Sequence, residues 1–383
     1  MKIPLFAARS IVAMSLLSLG SAPTEAASNG SQNSVFPQQV EARVPFAPTA
    51  FESEGASHLV YELYLTNFTP VPVEIRRIEV LDADMAADQP LAVFEGATLA
   101  DVLDAVGGQS KTPAQLAPGA SVVAYLWLSI KDGAPVPNHL RHRVLTADNS
   151  AEGTVIATHN SDLLRLSAPV RGANWLASDG PSNDRDNHHR RGILVINQRA
   201  VDSRRYAVDW MLTKNGQTAG TGERSDRNNY YAYAQSVYAV ADAVVASAKD
   251  GQPENVPALP ANFHPAVPIT MNTIGGNNIV LSLGHGQYAY YFHLKTGSVQ
   301  VKAGDHVRRG EAIAQIGVSG DATVPHLHFE VTTSPLIVAG DGVPYEIDHY
   351  RVKGADNEWH DRTNGLPLNK MTVDFGPDTP AKK

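Results

Sequence analysis

Pro325-His326-Leu327-His328-Phe329-Glu330-Val331 alternates polar and apolar residues with a period of two. That is the pattern of a strand with one face in a core. Residues i and i+2 of a strand share a face, so His326 and His328 reach one site while Leu327 and Phe329 turn inward. Two imidazoles on one face suit a metal ligand beside a general acid or base, because neutral imidazole binds zinc and also titrates near neutral pH. A lone His-x-His is equally compatible with a structural strand, so its surroundings decide.

The same period recurs along the chain. His58-Leu59-Val60-Tyr61-Glu62-Leu63-Tyr64-Leu65 places Leu59, Tyr61, Leu63 and Leu65 on one face. Residues 71–81 and 121–130 are similar runs bounded by turn residues. A single short helix is expected over residues 98–106, with Thr98 as N-cap and Asp101 three residues on. Further strands are expected at 192–197, 205–211, 239–246, 278–283, 288–293 and 327–332. The fold class is therefore all-β: an immunoglobulin-like β-sandwich over 35–172, then a compact antiparallel β domain over 173–383. The polar stretch Ala177–Asp184 reads as a linker or loop near the boundary.

Composition narrows the chemistry. The 383 residues contain no cysteine, so any metal must be held by histidine and carboxylate, and a thiol nucleophile is excluded. Residues 1–26 have a basic start (Lys2, Arg9), an apolar run Ile11–Leu19 too short to span a bilayer, and a small-residue cleavage site before Ala27. This predicts an exported protein, periplasmic or extracellular, with a flexible leader at 27–34 and no membrane segment after cleavage. Removing Lys2, Arg9 and Glu25 leaves 29 basic against 38 acidic residues, a net charge of about −9. That balance argues against a nucleic-acid partner.

Around the His-x-His lie Tyr290-Tyr291-Phe292-His293-Leu294, then Lys302-Ala303-Gly304-Asp305, then Ile316-Gly317-Val318-Ser319-Gly320. In this order the sequence resembles the lysostaphin-type (LytM-domain) zinc metallopeptidases, over about residues 188–332 and most clearly from Tyr230 to Val331. The resemblance implies a zinc endopeptidase that cuts the peptide cross-bridges of bacterial peptidoglycan. It implies His328 as a zinc ligand, with His326 and His293 as catalytic groups flanking the water to be activated. Asp209, opposite Val208 and Trp210 on a mostly apolar strand, is the candidate carboxylate ligand, since an unmatched buried carboxylate is costly. Pairing with Arg204 or Arg205 is its structural alternative.

One position departs from the family. Its pattern has a ligand histidine four residues before the aspartate, where this chain has Arg205. The replacement expected is His189 (or His188), carried towards Asp209 by a hairpin of strands 192–197 and 205–211; register decides which of the two faces the metal. Arg205 would be a strand residue pointing away. The departure keeps a second function class open, a catalytically inactive lysostaphin-like module that binds or regulates cell-wall hydrolases. The run Val301–Ile313 also resembles biotinyl and lipoyl carrier half-barrels, but the lysine-bearing hairpin tip is absent. His139 and His142 read as ordinary strand or surface residues, His264, His285, His306, His349 and His360 as exposed ones, and Tyr288, Tyr290 and Tyr291 as either core or groove lining.

Overall fold

The computed structural model describes residues 38–376 except 87, 109–111, 132, 148, 154, 161 and 162; the leader and cleavage site expected at 1–34 lie outside them. Antiparallel pairing dominates. In the N-terminal part, β1 (Ala56–Asn67), β2 (Val73–Asp82), β3 (Ser121–Lys131) and β4 (His139–Thr146) are the main strands of two sheets. β1 pairs with β3 from Ala56↔Lys131 to Thr66↔Ser121, and β2 pairs with β4. Leu59, Tyr61, Leu63 and Leu65 of β1 share one buried cluster with Ile75, Ile78 and Val80 of β2, so the two sheets form a sandwich.

Alternation accounts for only half of the burial in β1. Val60 and Glu62, on its other face, are also buried, because that face lies against the C-terminal part. Val60 joins the larger core, and Glu62 is ion-paired with Arg190 and Arg205. The helix expected over 98–106 is displaced and shortened: α1 spans Gly96–Val102 with Glu95 at the N-cap. Thr98 is three residues inside, where its hydroxyl accepts the Glu95 N–H at 3.0 Å. The helix stops there because Leu103–Ala105 pair with β3, which buries Leu103.

In the C-terminal part, β5 (Trp175–Ser178), β6 (Val208–Leu212), β7 (Ala243–Lys249), β8 (Asn277–Gly284), β9 (Gln287–Leu294), β10 (Leu327–Thr332), β11 (Glu346–Lys353) and β12 (Thr372–Asp374) share one sheet. Their order is β11-β12-β5-β6-β10-β9-β8-β7. Arg165 and Leu166 pair with β11, so this sheet draws on chain upstream of residue 173. Trp175, Val208, Trp210, Tyr291, Leu327 and Phe329 fill the core beneath it.

The expected hairpin of 192–197 with 205–211 does not form. Leu194–Ile196 pair with Arg199–Val201 instead. Ser203–Tyr206, Arg205 included, make a 3₁₀ turn rather than a strand. β6 then enters the middle of the large sheet between β5 and β10. There Val208 and Trp210 are fully buried, which a local two-stranded hairpin could not achieve.

Candidate metal centre

The site begins with register. Ser178 of β5 is opposite Asp209 of β6, Asp209 is opposite His328 of β10, and His328 is opposite Phe292 of β9. Four strands thus put a carboxylate and an imidazole abreast on one face, with the Phe292 ring stacked on His328 at 5.3 Å. The inward alternates, Val208, Trp210, Leu327 and Phe329, anchor both strands in the core.

Two loops complete the ring. After Ser178 the chain leaves β5 and returns over Asp209, bringing His189 Nε2 to 3.5 Å from Asp209 Oδ1. His326, just before β10, places Nε2 3.5 Å from Asp209 Oδ2. His328 Nδ1 is 3.0 Å from Asp209 Oδ1. His293, the next-to-last residue of β9, is in a left-handed conformation at φ 64°, with its ring centre 4.9 Å from that of His326. All five side chains line a cleft of about 480 Å³, with Pro260, Ile274 and Val338 among its apolar walls.

The histidines are oriented by what their other nitrogen meets. Nδ1 of His189 is 2.8 Å from the Asp179 carbonyl, Nδ1 of His293 is 2.9 Å from that of Ser319, and Nδ1 of His326 is 2.8 Å from that of Val324. A carbonyl can only accept, so each Nδ1 carries the proton and each Nε2 turns an unprotonated lone pair to the cleft. His328 is reversed: Nδ1 faces Asp209, and Nε2 lies 3.5 Å from Glu330 Oε2.

Burial sets the electrostatics. Desolvation, reinforced by neighbouring imidazoles, holds His189 and His293 well below the usual histidine range. For His328 burial works downward but is outweighed by Asp209 and Glu330, which carry it up to about 9. Burial would raise Asp209, yet His326, His189 and His328 around it hold it well below the ordinary carboxylate value. The Nε2 atoms of His326 and His328 have no hydrogen-bond partner, which is unusual for buried polar atoms. The separations of His189 Nε2 and His328 Nδ1 from Asp209 Oδ1, 3.5 and 3.0 Å, lie near the edge of about 3.4 Å of a tetrahedron with metal bonds of 2.0–2.1 Å. The residues fit a bound cation.

His188, His189 and Asp209 have ligand atoms within 4.8 Å of one another and can hold a metal ion. Within that group His189 is the better placed of the two histidines. Its side chain is 3% exposed against 56% for His188, which sits over Asp179 Oδ1 at 3.4 Å. His328, nearer Asp209 than either histidine, is as well placed as any of the three. Asp209 pairs with neither Arg204 nor Arg205 among the described residues. Arg205 turns from the cleft and binds Glu62.

Residues 229–340 match peptidase family M23. The matched segment holds His293, His326 and His328, whereas Asp209 and His189 precede it. It is of the lysostaphin or LytM peptidase type. Among solved structures, the chain is similar to the catalytic domain of the antimicrobial peptidase lysostaphin from Staphylococcus simulans, at 24% identity over 36% of this chain and 71% of that one, TM-score 0.21. It is also similar to pseudoalterin, an M23 metalloprotease from the deep sea, at 16% identity over 55% and 95%, TM-score 0.28. A zinc-containing peptidase from Vibrio cholerae aligns at 15% identity over 75% and 79%, TM-score 0.24.

Glu330, Asp179 and Asp321 were not assigned from the sequence. Glu330 extends the period of His326 and His328 by one step, and that spacing was the available signal. Asp321 lies 3.5 Å from His293 Nε2 at the rim. Away from this cleft, Tyr290 and Tyr291 are core residues, and His142 is buried against the Tyr61 hydroxyl at 2.8 Å. His139 meets Asp84 near the surface, and His264, His285, His306, His349 and His360 are exposed, the last three within strands.

Proposed function

We propose that this chain is an exported zinc endopeptidase that hydrolyses peptide cross-bridges of peptidoglycan. The observation that carries the reading is the convergence of His189 Nε2, Asp209 and His328 Nδ1 on one buried point, with the Nε2 atoms of His326 and His293 facing the same cleft. In this reading His189, Asp209 and His328 hold the metal and leave one position open, as hydrolytic zinc sites require. Zinc there supplies a Lewis acid that polarises a carbonyl and acidifies water.

The side chains supply the rest. His326 Nε2, 3.5 Å from Asp209 Oδ2, accepts the proton of the attacking water. Because the Nδ1–H of His293 is held by the Ser319 carbonyl, its Nε2 hydrogen-bonds the scissile carbonyl or passes a proton to the departing amine only as the imidazolium, after taking up a proton in the cleft. The fixed Nδ1–H bond to Val324 keeps His326 in the tautomer that a proton acceptor needs. Apolar walls at Phe292, Ile274 and Val338 exclude water around an extended peptide. The signal-like residues 1–26 support delivery across a membrane, with mature protein starting near Ala27.

The test is metal content together with release of peptides from purified sacculi. The expected outcome is one zinc per chain with cleavage, loss of both in Asp209→Ala, and loss of cleavage with zinc retained in His326→Ala. Zinc-free, inactive wild-type chain would turn the assignment to the non-catalytic module.

A further inference from the structure

The loop that delivers His189 is bonded chiefly to the N-terminal sandwich. Arg190, the next residue, is 1% exposed and reaches away from the cleft into the sandwich. Its guanidinium pairs with Glu62 of β1 and donates to the carbonyls of Tyr61 at 3.1 Å and Leu126 at 3.3 Å. It also donates to Asn183 at 3.0 Å, and Asn183 in turn donates to the Tyr125 carbonyl at 2.6 Å. Arg191 and Arg185 both clasp Asp104, each at 2.8 Å, and donate to the carbonyl of Asp101 beside it. Glu62 closes the arrangement by also taking Arg205, the residue at the position where the family pattern has a ligand histidine.

We propose that the sandwich is a structural part of the metal centre: Glu62 and Asp104, acting through Arg190, Arg185 and Arg191, fix the loop so that His189 reaches the metal. The inference rests on the zinc reading above. Arg190 is a positioning residue; it touches neither the cleft nor the ligand atoms. A backbone tied one residue from His189 to a buried ion pair has little freedom. With Nδ1 also held on the Asp179 carbonyl, the remaining nitrogen is aimed at Asp209. The sandwich then supplies the rigidity that a ligand on a bare surface loop would lack.

The experiment measures zinc affinity of the full chain by competition with a chromogenic chelator, in the His189 and His189→Ala backgrounds. Arg190→Lys keeps the charge but loses the planar fork, and is expected to weaken zinc about 10–100-fold, the size of other outer-shell changes. Asp104→Asn removes two part-exposed anchors without opening the core, so it keeps the fold, and is expected to cost about fivefold. In the His189→Ala background both effects should vanish, because the anchors act only through that residue. A merely structural weakening would persist there. Zinc affinities within twofold of wild type for both variants, or equal losses in both backgrounds, overturn the proposal while leaving the zinc site standing. Wild-type chain that takes up no zinc overturns the enzyme reading and this with it.

Discussion

Glu330 offers a test of how far the metal site extends beyond its ligands. Its carboxylate is completely buried, neither oxygen has a hydrogen bond, and the nearest imidazole atom is His328 Nε2 at 3.5 Å. When His328 binds a cation through Nδ1, Nε2 must carry the proton, and the Glu330 carboxylate becomes its acceptor. Glu330→Gln keeps the shape and an acceptor oxygen but removes the charge; Glu330→Ala removes both. The first change should weaken zinc about 10-fold and the second about 100-fold, the span of such outer-shell losses, or about 1.4 and 2.7 kcal/mol. The metal-free fold should respond differently. Burying an anion costs several kcal/mol, so Glu330→Gln should leave stability in chelator unchanged or raise it. Chelator competition for the metal and urea unfolding in chelator measure the two quantities separately. If Glu330→Gln binds zinc as tightly as wild type, or if its metal-free form loses 2 kcal/mol or more, the carboxylate is a packing element and the reasoning is wrong.

His189→Ala should cost most of the zinc affinity, leaving the weak, still measurable binding of Asp209 and His328, whereas His188→Ala, at an exposed position over Asp179, should cost much less; zinc titration of the two variants decides. Gly320 sits at φ 75° with its would-be Cβ 2.3 Å from the Ile274 carbonyl, so Gly320→Ala should destabilise by more than about 1 kcal/mol. It should also depress cleavage, because the neighbouring Ser319 carbonyl orients His293; urea unfolding and peptide release are the readouts. Burial lowers His142 to about 4 from an unfolded value of 6.5. Below 6.5 the unfolded chain takes up a proton that the folded chain refuses, so stability falls as pH drops from 6.5 towards 4. The loss amounts to about 3 kcal/mol by the lower limit. His142→Gln should flatten that part of the stability–pH curve relative to wild type.

What the sequence disclosed follows the range over which its signals act. The period of two identified β10 to the residue, because Leu327, Phe329 and Val331 alternate with His328 and Glu330 within a single strand, His326 preceding it by one residue. Asp209 was legible for the same reason, as a carboxylate between two apolar neighbours. His189 was legible as a candidate by type, since the chemistry lacked a third ligand, but its route was not. The partners of β6 are Trp175–Ser178 and Leu327–Phe329, and no local pattern announces pairing over such separations. A nearby hairpin is the simplest pairing the sequence offers, but the strand 194–196 closes on 199–201 before β6 begins. Glu62 was the least visible. Within Val60-Tyr61-Glu62-Leu63-Tyr64 it reads as the exposed member of an amphipathic strand, and its partners lie 128 and 143 residues further on. A strand buried on both faces by different bodies has no distinct local signature.

The position of β6 has a practical consequence for fragments. A piece cut to residues 229–340 would keep His293, His326 and His328 yet lose both Asp209 and the strand that carries it. β10 would then lie at the border of its sheet, with the backbone groups that now meet Val208–Trp210 open to any other extended chain. Its residues Leu327, Phe329 and Val331 are apolar, and such a border recruits further copies of itself. Self-association, rather than a weakened enzyme, is the expected behaviour of that fragment.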